Sequence, residues 1–147
     1  MSRTKLFVFV IFLLAVALSA CGTNQANSTG PVTVNVTLKE FTVESSVTEF
    51  KPGVQYHFVV KNAGQLPHEF MIMPIQMDSM GMPNMSGMSM EDRDKLALMM
   101  IPQEELPAGA TVEKDYTFTS VPQGDIEIVC TLPGHFEAGM HMPISVK

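Results

Sequence analysis

The chain of 147 residues has no tryptophan, two tyrosines and two cysteines, and only 16% of it is charged. Each scarcity excludes something. Two cysteines cannot make a disulfide framework. Nine basic residues against fifteen acidic ones, a formal charge of −6, argue against a nucleic-acid partner. No Ser/His/Asp arrangement, catalytic carboxylate pair or phosphate-binding glycine loop stands out, so a hydrolase or transferase has no support and the chain is read as non-enzymatic. The length leaves room for one domain core and no second. Although hydrophobic residues make up 46%, their excess is concentrated at the N-terminus, which fits neither a disordered chain nor a protein of many membrane spans. Against these scarcities stand thirteen methionines.

Arg3 and Lys5 precede an unbroken apolar run from Leu6 to Leu18. That length suits the hydrophobic region of an export signal and is short for a transmembrane helix. Leu18-Ser19-Ala20-Cys21 ends it and resembles a bacterial lipobox, in which the cysteine is lipidated and becomes the mature N-terminus. Residues 1–20 are thus expected to be a lipoprotein signal peptide and residues 21–31 a flexible polar tether. The expected location is outside the cytoplasm, with the protein anchored to the bacterial cell membrane through Cys21. Cys130 is then the one free thiol in an oxidising compartment, where it is either a small buried hydrophobe or a residue with a task.

From Val32 the pattern turns to period two. Val32, Val34, Val36 and Leu38 alternate with polar residues, and Phe41 and Val43 resume out of phase, as at a bulge near Lys39 and Glu40. Similar runs hold Val54 to Val60, His68 to Ile72, Val112 to Phe118, Ile126 to Cys130 and Met140 to Val146, with Gly/Pro turn signals between them. Six or more short strands with little helix signal predict an all-β fold, an antiparallel Greek-key β-sandwich over residues 32–147. One interval interrupts it. Ten of the thirteen methionines fall between Met71 and Met100, and residues 74–101 read as a Met-rich insertion longer than a sandwich loop requires. Within it Ser89-Met90-Glu91-Asp92 resembles a capping box, which predicts a short helix running to Ile101 before Pro102 stops it.

The chemistry lies in CTLPGHFEAGM, where four residues separate Cys130 from His135 and four more separate His135 from Met140. A loop between two strands can bring this thiolate, imidazole and thioether to one point. His68, at the start of the third run with the inward parity of Phe70 and Ile72, can add a second imidazole. Two histidines, a cysteine and a weak axial methionine are the ligand set of an electron-transfer copper centre. His57 and His141 fall out of phase with the apolar residues around them and read as surface positions. These segments resemble the cupredoxins, the small type 1 blue copper proteins of the auracyanin, rusticyanin and plastocyanin kind, and the four-and-four spacing is most similar to the auracyanin and rusticyanin branch. The resemblance spans about residues 32–147. It implies a Greek-key β-sandwich in which His68, Cys130, His135 and Met140 bind one copper. Glu69 stands where that family often has Asn, and the insertion is foreign to the minimal fold. A binuclear copper centre would need another cysteine in the ligand loop, and a multicopper oxidase would need His-x-His clusters; the sequence has neither.

Two copper functions are consistent with this, beside a third reading as a structural lipoprotein with no metal. One is a membrane-anchored carrier of single electrons between redox proteins such as a cytochrome or a terminal oxidase. The other is a copper-handling protein in which Met77, Met80, Met82, Met85, Met88 and Met90 form a soft-donor site for Cu(I), since thioethers select the monovalent ion. Those six methionines could equally form an adaptable apolar lid or docking surface.

Overall fold

A computed structural model of the protein describes residues 30–75, 85 and 88–147. The signal peptide, Cys21, most of the tether, and Met77, Met80 and Met82 lie outside the described residues.

Among the described residues the expected two-sheet sandwich forms. One sheet holds β1 (Val32–Lys39), β2 (Thr42–Ser45), β4 (Gln55–Asn62) and β7 (Thr111–Thr117) in the order β2-β1-β4-β7. The other holds β3 (Glu49–Phe50), β5 (Phe70–Ile75), β6 (Met99–Ile101), β8 (Asp125–Val129) and β9 (His141–Val146) in the order β3-β9-β8-β5-β6. Pairing is mixed and not wholly antiparallel: β1 runs parallel to β4, and β3 parallel to β9. The phase break after Leu38 is a chain reversal and not a bulge. Glu40 and Phe41 form a turn, and β2 folds back antiparallel on β1 with Lys39 opposite Thr42.

The sequence alternation explains the packing. Val34, Val36, Leu38, Tyr56, Phe58 and Val60 point inward from the first sheet, and Phe70, Ile72, Ile126, Ile128 and Ile144 meet them from the second. Phe50 sits at the centre of an aromatic group, its ring centroid 4.9 Å from Tyr56, 5.3 Å from Phe118 and 5.8 Å from Phe58. Burying each such side chain contributes roughly 1.5–3 kcal/mol.

A second buried group lies on the outer face of the second sheet. Every residue of β5 except the half-buried Pro74 is buried, so this strand is covered on both sides. Met71, Met73 and Ile75 pack outward with Met85, Val129 and Phe136, and with the partly buried Met88, Leu96, Ala97 and Met100. The helix α1 (Met90–Leu96) belongs to this cover. Its N-cap is the expected Ser89, whose hydroxyl accepts from the Asp92 amide and donates to the Asp92 carboxylate. It stops at Leu96 and not at Ile101, because the sheet edge captures the chain: the Leu98 amide donates to the Ile72 carbonyl at 2.7 Å, and Met99–Ile101 pairs with β5 as β6.

Two predictions follow from the packing. Phe50→Ala removes a ring that is 0% exposed and should destabilise the fold by roughly 3–5 kcal/mol, read as a lower denaturation midpoint with an unchanged slope. His57, on the outer face of the first sheet, places Nδ1 2.6 Å from Asp115 and Nε2 3.4 Å from Glu113. The hydrogen bond to Asp115, with the charge of both carboxylates, holds its pKa above the usual histidine value. The stability it contributes should be fully present below about pH 6.5 and lost as pH rises through the folded-state pKa. A His57→Gln protein should lack that part of the stability–pH curve.

Candidate metal centre

Two chain segments carry the donor residues, and each is pinned by main-chain and side-chain bonds. The segment from Asn62 to His68 is held by two side chains. The buried Asn62 donates to the carbonyls of Leu66 and Leu106 and accepts from the Gly64 amide at 2.9 Å. Glu40, on the turn between β1 and β2, accepts from the amides of Gln65 and Leu66, which holds its carboxyl below the usual range. A Cβ at Gly64 would stand 2.5 Å from the Glu40 carboxylate, so a larger residue there would displace the side chain that holds the Gln65 and Leu66 amides. His68 follows, two residues before β5 begins at Phe70, so it is a loop residue and not the first residue of a strand as its alternation suggests.

The second segment leaves β8 at Cys130 and enters β9 at His141. Tight turns compact it, with amide-to-carbonyl bonds from His135 to Leu132, Ala138 to Gly134 and Gly139 to Phe136. Gly134 and Gly139 take φ of 80° and 102°, backbone that side chains resist. The loop then closes on itself: the Met140 amide donates to the His135 carbonyl, and the Cys130 amide donates to the Met140 carbonyl, each at 3.0 Å.

These two segments bring three donors together. His68 Nδ1 is 3.3 Å from His135 Nδ1, which is 3.4 Å from Cys130 Sγ, and all three atoms lie within 4.8 Å of one another. Donors held about 2.0–2.3 Å from a common metal in a near-planar triangle stand roughly 3.5–4 Å apart, so the spacing fits a metal between them. His68, Cys130 and Met140 are 0% exposed, whereas His135 is partly exposed. Cys130 and Met140 share the inter-sheet core, so the structure places all four expected residues in one region and brings three to a point. Burial pushes the Cys130 thiol up and the His68 imidazole down. Both remain uncharged near neutral pH, and a thiophilic metal would displace the thiol proton. Burial also leaves His68 Nε2 without a hydrogen-bond partner, 3.7 Å from Glu40.

The supporting residues are less evident from sequence. Glu69, 5% exposed, accepts from both the amide and the hydroxyl of Thr131. Its own amide donates to Cys130 Sγ at 3.5 Å. One residue thus bonds to the thiol and ties down the residue after it, across 62 positions of sequence. Arg93, on α1, donates to the Thr131 carbonyl and so links the insertion to the same loop. His141 is no free surface residue: Nδ1 lies 2.7 Å from the buried carboxylate of Glu127, and the ring stacks on Phe136 with centroids 4.6 Å apart. The available signal for Glu127 was an acidic residue inside the apolar run Ile126–Ile128, on a sheet face that the insertion covers. Of the six insertion methionines, Met85 and Met88 pack on the outer sheet face, while Met90 is exposed on the first turn of α1.

No protein-family model matches the chain. It is 25% identical over 138 residues to the copper-resistant cuproprotein CopI of Pseudomonas aeruginosa, covering 78% of this chain and 75% of that one. It is 32% identical over 96 residues to the protein of the same name from Rubrivivax gelatinosus, covering 65% of this chain and 53% of that one. Among solved structures, reduced auracyanin from Roseiflexus castenholzii superposes with a TM-score of 0.55 at 18% identity, covering 80% of this chain and 99% of that one. The copper protein rusticyanin superposes with a TM-score of 0.53 at 18% identity, covering 80% of each chain. The chain has the cupredoxin fold.

The Glu69–Thr131 tie can be tested by Thr131→Val, which keeps the shape and removes the hydroxyl. With one donor of a buried carboxylate gone, the fold should lose about 1–3 kcal/mol, read by denaturant titration, whereas Thr131→Ser should retain most of the stability.

Proposed function

We propose that this chain is an exported, lipid-anchored electron carrier with one type 1 copper held by His68, Cys130, His135 and Met140. The observation that carries the reading is the meeting of a buried thiol and two imidazole Nδ1 atoms within 4.8 Å. Copper bound there supplies one-electron chemistry between Cu(I) and Cu(II). The chain's own residues make that transfer easy. The thiolate and thioether favour the reduced ion and the imidazoles accept either state, so the donor set is a compromise between the two. Both donor segments are pinned, so the donors need move little when the charge changes. Burial of His68, Cys130 and Met140 keeps water from the donors. His135, partly exposed, is the donor nearest solvent and the natural contact with a redox partner such as a cytochrome or terminal oxidase. The resemblance of Leu18-Ser19-Ala20-Cys21 to a lipobox supports a location outside the cytoplasm on the membrane surface, and no enzymatic role is assigned to the protein.

A second reading, copper handling, has its own support. Both curated relatives are named as copper-resistant cuproproteins, and the insertion puts thioethers against the outer sheet face. On this reading the insertion captures, stores or passes on Cu(I).

The full chain loaded with Cu(II) should show an intense visible thiolate-to-copper band at one copper per protein. Cys130→Ala should abolish the band; a variant that stays blue would refute the ligand assignment. Met140→Leu should keep the colour, because the other three ligands remain, and should raise the reduction potential, because a donor to Cu(II) is lost. An unchanged potential measured by redox titration would remove Met140 from the ligand set.

A further inference from the structure

We infer that the outer face of the second sheet carries a second metal site, for Cu(I), built from the thioethers of Met71, Met73 and Met85 and the imidazole of His141. The inference deepens the copper-handling reading and rests on it; it does not depend on the type 1 centre.

The two buried groups of the domain differ in chemistry. The inter-sheet core has nineteen buried residues, and only two of them, Met99 and Met140, are methionine. Among the described residues the outer group has six, and three are Met71, Met73 and Met85, with Met88 and Met100 partly buried against them. An ordinary cover for a sheet face is built from Leu, Ile, Val and Phe, as the inter-sheet core is. Here methionines from two strands, β5 and β6, and from the insertion share one buried group.

Strand register places a nitrogen donor beside this layer. Residues opposite one another on neighbouring strands share a face. Met71 lies opposite Val129 on β8, and Val129 lies opposite His141 on β9, so Met71 and His141 flank Val129 in one row. Two strand spacings separate their Cα atoms by about 10 Å, a gap that two side chains can close on a shared ion. Met73 lies opposite Glu127, the carboxylate that holds His141 Nδ1 at 2.7 Å. That bond has the arrangement that orients a metal-binding histidine: Nδ1–H donates to the carboxylate, and Nε2 keeps its lone pair for an ion. Glu127 is 5% exposed, and the negative charge it brings beneath the insertion favours a cation there.

Soft, uncharged thioethers with one imidazole select Cu(I) over divalent ions. Binding breaks no covalent bond, moves no electron and displaces no proton from the sulfurs.

The test is an anaerobic Cu(I) titration of the full chain against a chromophoric Cu(I) chelator, followed by oxidation and visible spectroscopy. The wild type should bind two Cu(I). The variant M71L/M73L/M85L, which keeps apolar volume and removes sulfur, should bind one and still turn blue. His141→Gln should weaken the second Cu(I) at least tenfold and leave the blue band in place. Cys130→Ala should retain one Cu(I), and X-ray absorption on it should show sulfur and nitrogen scatterers. Binding of one Cu(I) by the wild type would overturn the inference, as would a second Cu(I) that survives M71L/M73L/M85L. So would one that survives there but disappears on replacing Met77, Met80 and Met82 with Leu. A colourless copper-loaded wild type whose second site still depends on Met71, Met73 and Met85 would defeat the type 1 reading alone.

Discussion

A buried carboxylate holds the two donor segments in place. Glu69 adjoins His68 in the chain and accepts two hydrogen bonds from Thr131, the neighbour of Cys130, while its amide reaches the Cys130 sulfur. Placing a charge in an interior costs several kcal/mol unless donors surround it. The tie therefore holds only when both segments are in register, and that requirement keeps two imidazoles and a thiol together without a bond between them. Asn62 and Glu40 do the same for the approach to His68. In this protein a buried Glu occupies a position where the resembling family often has Asn, and it joins the segments through its side chain as well as its amide.

The donor residues were legible because chemistry and periodicity coincide there. Cys130 ends an alternating run, His135 and Met140 follow at equal spacing, and no other pairing of soft donors has comparable order. The sandwich was legible for a similar reason, since each strand shows its inward face as alternate apolar residues. What escaped was whatever depends on two distant segments at once. Period two cannot tell a bulge from a reversal, so the hairpin at Glu40 and Phe41 was read as a bulge. Helix propensity takes no account of a vacant sheet edge, and the chain after Ala97 joined β5 instead of continuing α1. His141 alternates like a surface residue, yet Phe136 of the donor loop and the buried Glu127 give its ring fixed partners.

The uninterrupted apolar run of β5 carries information that alternation does not. A half-exposed strand shows polar residues at every second position, whereas Phe70–Ile75 shows none, which requires a cover on both faces. The inter-sheet core supplies one cover and the insertion the other. The insertion is therefore part of the folded body where it meets the sheet, through Met85, Met88, Leu96 and Ala97. Methionine suits such a cover because its unbranched side chain adapts to an irregular surface. Adaptability explains why the layer can be Met-rich without loss of packing, but it does not explain a carboxylate-held histidine at the border of that layer.

Position in the fold decides how the insertion can bear on the donor site. It leaves the second sheet at the end of β5, about 20 Å of strand from His68, and meets the donor loop at Phe136, which shares a buried group with Met85 and Met88. It returns through α1, where Arg93 donates to the carbonyl of Thr131, the same residue that Glu69 holds from the other side. Among the described residues Thr131 is a point where the cover and the donor loop share a hydrogen-bond network, and its hydroxyl also lies 3.6 Å from the sulfur of Met71. At Thr131 both the backbone amide and the carbonyl are engaged, the first by Glu69 and the second by Arg93 of the cover. The two faces of the sheet thus differ in their donors, with the His68, Cys130 and His135 cluster inside and a Met-rich layer outside, and Thr131, the residue following the thiol, is bonded from both.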